Sequence, residues 1–204
     1  MIVVRAAPAL SPAIPPVPNL RHNRIVASIE RPSSEADWEQ MRAICVETSA
    51  RPVPEESRAA FGRLWIDPYR RWAPGWAYVA REGESVVGYL TGCASTAAFI
   101  FYSGLLGPRP SLGANLRFPK TLLARMLRRY PAHLHVNVRE GHRGGVGRAL
   151  VERFERDAAA GGAAGVHVFC GDRPLGFYRK LGYEELGRVA IGDRFIFALG
   201  KRFR

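Results

Sequence analysis

One segment, residues 133–150, constrains this chain more than any other. It begins with the alternating run HLHVNV, which predicts a strand with one buried face. A turn with three glycines, RGGVG, follows, and then apolar residues recur at helical spacing. Glycines let backbone N–H groups approach a ligand closely, and the amides in the first turn of a helix attract anions. The segment therefore predicts a site for a phosphate or pyrophosphate group.

Residues 166–183 predict a second strand, turn and helix. The run VHVFC alternates as a strand, and we expect Asp172 to cap the following helix with Pro174 in its first turn. The helix should end at Gly182, because glycine suits the left-handed conformation that often follows a helix. The second half of the chain thus contains two successive strand–turn–helix units.

Together, the segments RGGVGRAL and DRPLGFYRKLGY resemble two motifs of the GNAT superfamily, the acyl-coenzyme A-dependent N-acyltransferases. The first motif of that family is a Q/R-x-x-G-x-G/A loop. The second is a strand, an Asn-led turn and a helix with a tyrosine that is followed by K-x-G-F/Y. The resemblance implies an α/β (α+β) fold with a mixed, mostly antiparallel central sheet flanked by helices. It also implies a V-shaped cleft between the fourth and fifth strands.

Two positions differ from the family pattern. If Gly145 and Gly147 form the G-x-G pair, His142 takes the Gln/Arg position; if Arg143 takes it, the loop is one residue short. Asp172 stands where the family usually has an asparagine, and its charge is unfavourable near coenzyme phosphates. These differences affect individual side-chain contacts more than the coenzyme itself.

The resemblance implies that acetyl-CoA is the cosubstrate. Backbone groups of the strand would hold the thioester, and amides of the loop would hold the pyrophosphate. Tyr178 matches the family tyrosine near the coenzyme sulfur, where a phenol with an ordinary pKa of ~10 can donate to the leaving thiolate; packing in the core is the alternative explanation. The residues expected to bind the coenzyme are Val136, Asn137, Val138, His142, Arg143, Gly144, Gly145, Val146, Gly147, Arg148, Asp172 and Tyr178.

The strand also predicts the amine side of the site. His133, His135 and Asn137 share the face opposite its apolar residues, and three polar groups there are costly unless they are paired or wetted by a cleft. We therefore expect His135 in the acceptor cleft as a general base, directly or through a water; a hydrogen-bonded structural histidine is the alternative. Glu47 and Glu140 are weaker candidates, and many such enzymes need no strict base. No metal is expected, because no third ligand accompanies the two histidines.

Charge and cysteine usage limit the partners. The formal net charge of +12 favours a polyanionic ligand such as a coenzyme with several phosphates. Nucleic acid is not favoured as the main partner, because no basic run is interleaved with aromatic residues. Three widely spaced cysteines predict buried free thiols, as in a reducing cytoplasm. No apolar run reaches the roughly 20 residues that a membrane span needs, so we expect a cytoplasmic protein with no membrane partner.

The chain divides into a proline-rich arm, residues 1–24, and a GNAT acetyltransferase domain, residues 25–204. In the domain we expect the order β-α-α-β-β-α-β-α-β-α-β-β, with residues 96–118 irregular. The expected strands lie near 25–29, 76–81, 85–93, 133–138, 165–170, 183–189 and 193–199. The expected helices lie near 33–46 (capped by Ser33 or Ser34), 54–65, 120–130, 146–160 and 174–181.

The resulting hypothesis is an N-acetyltransferase that moves the acetyl group directly from acetyl-CoA to an amine of a small molecule or peptide. The alternatives are a GNAT-like module that binds acyl-CoA without turnover, and a basic RNA-associated protein. Aromatic residues in the second helix, in the link to the next strand and in residues 96–118 would line the acceptor cleft; a hydrophobic core or a homodimer face explains them equally well. These residues are Trp65, Tyr69, Trp72, Trp76, Phe99, Phe101 and Tyr102, together with Leu105.

Overall fold

The structure, a computed structural model, describes residues 27–106, 117–142 and 144–203. The proline-rich arm and Arg143 lie outside these ranges, as do the first residues of the strand expected at 25–29. The strands are β1 Ser28–Glu30, β2 Ala77–Glu82, β3 Ser85–Cys93, β4 Ala132–Val138, β5 Gly165–Cys170, β6 Glu184–Ile191 and β7 Arg194–Arg202. The helices are α1 Glu35–Glu47, α2 Glu55–Trp72, α3 Thr96–Leu106, α4 Lys120–Arg129, α5 Val146–Ala160 and α6 Asp172–Lys180. A short 3-10 helix, Pro74–Trp76, leads into β2.

The seven strands form one sheet in the order β1-β2-β3-β4-β5-β7-β6. All neighbouring pairs are antiparallel except β4 and β5, which are parallel. β4 pairs with β3 from His133 to Val138, but it pairs with β5 only through Ala132 and His133. The two parallel strands therefore part after His133. This geometry confirms the expected mixed, mostly antiparallel sheet with an opening between its fourth and fifth strands.

Helices cover both faces of the sheet. α5 and α6 pack on one face, where Leu134 and Phe154 belong to the main buried cluster. α1 and α2 pack on the other face around Met41 and Tyr89, and α4 covers β5 and β7 beside them. The apolar residues of β4 face the α5 layer, as their alternation predicted. Its polar residues consequently face the layer of α1 and α2.

A capping box begins α1. Ser34 is the N-cap, and its hydroxyl accepts a hydrogen bond from the Asp37 amide at 3.2 Å. The buried Asp37 carboxylate accepts from the amides of Ser33 and Ser34 and from Arg81 on β2, at 2.6 Å in the last case. Burial alone would raise the pKa of Asp37, but the hydrogen bonds from Arg81 and the two amides outweigh it and lower that pKa. The cap thus also joins α1 to the sheet.

The expectation that residues 96–118 are irregular is wrong for residues 96–106, which form α3; residues 107–116 lie outside the described ranges. Ser95 begins this helix, since its carbonyl accepts from Phe99 N at 2.9 Å and its hydroxyl from Ala98 N at 3.3 Å. Aromatic and β-branched residues have modest helix propensity, so the composition favoured a loop. The serine cap was the signal that could have corrected it.

α2 also differs from the prediction, because it continues to Trp72 and contains Pro68 in its interior. Proline usually breaks a helix, since it lacks the N–H group and clashes with the preceding turn. Here Trp65 and Tyr69, on either side of Pro68, both pack their rings against β4. Tertiary packing thus outweighs the local cost.

The three cysteines, Cys45, Cys93 and Cys170, are buried and free, as expected. Of the helices within the described ranges, none combines the length and the apolar character needed to cross a bilayer.

Candidate active site

The glycine turn lies between the end of β4 and the start of α5. Gly145 is the N-cap of α5 with a φ of 104°, in the region where a side chain is strained. The first helical hydrogen bond runs from Ala149 N to Gly145 O at 2.9 Å. The amides of Val146, Gly147 and Arg148 therefore precede the helical ladder and form the anion-attracting end of α5.

Gly147 has a different role from Gly145. It is buried, and a Cβ placed on it would lie 3.4 Å from the ring of Phe177 and 3.6 Å from Val138. These distances are ordinary van der Waals contacts, so the protein itself leaves room for a Cβ at Gly147. Of the two glycines of the motif, only Gly145 has the positive φ that favours glycine.

Three side chains predicted to bind the coenzyme either have other partners or are exposed. His142 Nδ1 lies 3.2 Å from the carboxylate of Glu82, and Arg148 pairs with Glu152 at 3.3 Å. Asp172 is exposed and is the first residue of α6, whereas Gly171 is its N-cap, so the expectation that Asp172 caps this helix is wrong. These positions leave the backbone of the turn, more than its side chains, as the feature suited to a phosphate.

The polar face of β4 continues onto β3. Directly opposite residues of antiparallel strands share a face, and the register pairs His133 with Cys93, His135 with Thr91 and Asn137 with Tyr89. The sequence analysis missed these partners, because β3 is almost wholly buried and its pattern does not separate polar from apolar positions. The result is a two-strand polar patch beneath α2.

His133 is fixed by hydrogen bonds on both ring nitrogens. The Thr96 hydroxyl donates to the carbonyl of Pro131 at 2.8 Å, so its oxygen accepts from His133 Nδ1 at 2.8 Å. Nε2 therefore carries no proton and accepts from the Tyr69 hydroxyl at 2.9 Å. Burial and the nearby His167 and His135 lower the pKa of His133 to about 3. His133 is thus a neutral group that joins β4 to α2 and α3.

His135 has one engaged nitrogen and a lowered pKa. The Asn137 amide donates to Nε2 of His135 at 3.0 Å and to the Tyr89 hydroxyl at 2.8 Å, which places the imidazole proton on Nδ1. Burial lowers the pKa of His135 to about 4, so the ring is neutral near pH 7. Opposite it, Thr91 Oγ1 is buried with no hydrogen-bond partner among the described residues. A base role for His135 would require the Asn137 amide to turn over, which frees Nδ1 to accept.

α2 crosses this patch with matched spacing. The rings of Tyr69 and His133 lie 5.6 Å apart, and the Trp65 ring stacks on His135 at 5.7 Å. Four residues of helix rise about 6 Å and two residues of strand about 6.6 Å, so successive aromatic residues of α2 meet successive histidines of β4. The aromatic side chains of α2 therefore lie directly on the polar patch, in contact with both histidines.

The remaining aromatic residues divide among three places. Phe99 and Tyr102 of α3 stack on Tyr69 and Trp72 of α2, whereas Trp76 packs on Phe154 on the opposite face of the sheet. Phe101 is 64% exposed and Tyr102 is 55% exposed. The aromatic residues therefore do not line a single cleft.

Tyr178 lies on α6 with its ring between Phe177 and Tyr183, at centroid distances of 5.1 and 5.3 Å. Burial, and more weakly Cys170, raise the pKa of Tyr178 well above its ordinary value. The phenol is therefore neutral and able to donate a hydrogen bond.

An open pocket of about 390 Å³ lies where β4 ends, between the end of α1 and the start of α6. Its lining residues are Glu47, Thr48, Arg139, Glu140 and Arg173. Arg139 binds the Glu47 carboxylate with Nε at 3.0 Å and a terminal nitrogen at 3.4 Å. The pocket thus contains both glutamates that the sequence offered as weaker base candidates, and two arginines that the sequence analysis missed.

The buried histidines predict a loss of stability in acid. The pKa values of His133, His135 and His167 are lowered to about 3, 4 and 4, whereas unfolded histidine titrates near ~6.5. Their contribution to the free energy of unfolding is complete above pH ~6.5 and is lost as the pH falls towards the folded values, by about 1.4 kcal/mol per pH unit for each histidine. Urea unfolding at pH 7, 6, 5 and 4.5 measures this slope. His167→Gln should make it shallower, and a constant stability between pH 6.5 and 5 would contradict the prediction.

No protein-family model matches the chain, but its fold matches solved structures. SsHAT is 26% identical, with 86% of this chain and 97% of that one covered and a TM-score of 0.64. A ribosomal-protein-alanine N-acetyltransferase from Brucella melitensis is 22% identical, with 86% and 99% covered and a TM-score of 0.54. A protein from Desulfovibrio desulfuricans that is assigned to the GNAT family is 14% identical, with 86% and 98% covered and a TM-score of 0.57.

These likenesses span nearly the whole of the compared chains and agree in the mixed sheet and its helical layers. The glycine turn after the fourth strand and the helix after the fifth occur in the order of the two sequence motifs. The chain thus has a fold of the kind found in the GNAT-family protein from Desulfovibrio desulfuricans and in the N-acetyltransferase from Brucella melitensis.

Proposed function

We propose that this protein is a cytoplasmic N-acetyltransferase that moves the acetyl group of acetyl-CoA directly to an amine of a small molecule or peptide. One observation carries the proposal: parallel strands β4 and β5 share two residue pairs and then part beside a glycine turn. Several structural neighbours are named as N-acetyltransferases. The direct test is release of coenzyme A from acetyl-CoA with a panel of amines. Saturable binding of acetyl-CoA with no release would instead support the binding module without turnover.

The described residues fit a coenzyme of this kind. Beyond His133, β4 has no strand partner on the β5 side among the residues that the structure describes, so the groups from Val136 to Val138 are available to an extended ligand. The amides that begin α5 would hold phosphate oxygens, and Gly145 keeps their approach free of a side chain. When bound, acetyl-CoA supplies the reactive thioester; the protein positions it and stabilises charge on its carbonyl oxygen.

Tyr178 is proposed as the acid. Its neutral phenol lies on the helix that follows β5, the second strand of the opening. Donation to the leaving sulfur would stabilise the negative charge that develops there. No described residue contact assigns this role, so the proposal rests on the family motif and on the position of α6.

His135 is proposed to contact the incoming amine or a water bound to it. It lies in the polar patch beneath Trp65, opposite the buried hydroxyl of Thr91. Its lowered pKa keeps it neutral through the physiological range but makes it a weak base. Its contribution would therefore be largest where solvent has not already removed the proton of the amine.

Gly145→Val should weaken acetyl-CoA binding at least tenfold, because a Cβ at a φ of 104° distorts the turn and narrows the approach to its amides. Titration calorimetry measures the affinity. Gly192→Val is a matched control, since Gly192 also has a positive φ and lies in the open β6–β7 turn. Unchanged affinity in a folded Gly145→Val protein would remove the turn from the binding site.

Tyr178→Phe should lower kcat more than it raises KM, by about 10²–10⁴-fold if the phenol is the acid. Tyr183 is a neighbouring buried tyrosine of the same cluster, so Tyr183→Phe is the control and should retain most activity. Steady-state kinetics with a good acceptor measure kcat and KM for both variants. A change in kcat below threefold, with chemistry rate-limiting, would make Tyr178 a packing residue.

His135→Ala should reduce turnover most at low pH, where the amine is mainly protonated, and less as the pH approaches the pKa of the amine. The measurement is kcat/KM between pH 6 and 9. His167→Ala removes another imidazole from the same face of the sheet and serves as the control for lost packing. If His135→Ala has native rates across this range, His135 does not act on the incoming amine.

A further inference from the structure

We propose that the acceptor is a small zwitterion, with a carboxylate close to its reacting amine as in a free amino acid, bound in the pocket at the end of β4. This inference rests on the proposed acetyl transfer and names its class of acceptor. The pocket holds about 390 Å³ and opens to solvent. That volume lies at the lower end of the range for small-molecule sites, about 300–1,000 Å³.

The lining of the pocket contains both signs of charge. Two of its four charged residues, Glu47 and Arg139, satisfy each other through two hydrogen bonds. The other two, Glu140 and Arg173, are exposed and form no ion pair within the part of the chain that the structure describes. The pocket therefore offers one carboxylate and one guanidinium to a ligand.

The positions of these two charges suit an amine that must reach the opening of the sheet. Glu140 follows the last residue of β4 by two positions, and Arg173 is the second residue of α6, the helix that carries Tyr178. An amine hydrogen-bonded to Glu140 and a carboxylate at Arg173 would hold the ligand between β4 and α6. In this arrangement Glu140, and not His135 five residues earlier in the chain, would take the proton that the amine loses before it attacks the thioester. A guanidinium binds a carboxylate with two parallel hydrogen bonds, which fixes the orientation of the ligand as well as its charge.

The charge of the whole protein also disfavours a purely cationic acceptor. With a formal net charge of +12, the long-range field repels simple amines and attracts anionic groups. A zwitterion has no net charge to repel, and its carboxylate adds an attraction that a simple amine lacks. The local and the long-range electrostatics therefore favour the same class of molecule.

Matched acceptors test this proposal. Leucine, leucinamide and isoamylamine share a side chain and differ in the group beside the amine; phenylalanine, phenylalaninamide and phenethylamine form a second set. Coenzyme A release is measured at saturating acetyl-CoA, and rates are compared per neutral amine because the amines differ in pKa.

We expect kcat/KM for the amino acid to exceed that for its amide and its amine by about 10- to 100-fold, the loss expected for one charged hydrogen-bonding group. Equal rates, or faster reaction of the amide or the amine, would contradict the proposal that the acceptor is a zwitterion. No release with any amine would overturn the proposed function with it.

A substitution in the pocket provides a second test of the proposal. Arg173→Gln should raise KM for the amino acid about 10- to 100-fold, remove the preference over the amide, and leave KM for acetyl-CoA unchanged. Arg173 is exposed, so the variant should fold. Arg128→Gln, at an exposed arginine of α4, is the control and should change neither constant. A rise in KM for acetyl-CoA alone would assign Arg173 to the coenzyme and overturn the proposal.

Discussion

The short parallel pairing of β4 and β5 is the constraint on which the candidate site depends. The strands meet through Ala132 and His133 and then part, although each stays paired along its other edge, β4 with β3 and β5 with β7. The sheet thus remains continuous, while within the described residues the facing edges of both strands have no ladder partner beyond these two pairs. Exposed strand edges are usually a liability, because they attract other chains. Here the edge lies between two helical layers, where an extended ligand can pair with it.

The polar patch beneath α2 shows how the protein tolerates ionisable groups in its interior. Burial makes a charged imidazole costly, and the lowered pKa values of His133 and His135 express that cost. Both rings gain hydrogen bonds in their neutral forms, from Tyr69 and Asn137 respectively. Hydrogen bonds on both nitrogens of His133 hold that ring in one arrangement, whereas Thr91 Oγ1 has no partner among the described residues. The patch therefore joins β4 to α2 without carrying charge.

The sequence predicted the half of the molecule in which local signals agree. The glycine turn, the helix after it and the strand VHVFC combine alternation, turn residues and capping signals, and the structure places these elements close to the expected bounds. Prediction was wrong where long-range packing decides, as in the extension of α2 past Pro68, or where a cap was overlooked, as at Ser95. The roles of Tyr178 and His135 remain predictions, because a side-chain pattern does not show what a bound molecule contacts.

The matched spacing of α2 and β4 restricts which changes in chain length the protein can accept. One extra residue between Trp65 and Tyr69 would rotate the following part of the helix by about 100°, and one of the two rings would leave its histidine. The segment between α1 and α2 has no such ring pairing; Thr48 at its start lines the pocket at the end of β4, so the residues that can change in length are 49–53. Among relatives of this chain, insertions and deletions should therefore accumulate before α2, while the interior of the helix keeps a constant number of residues.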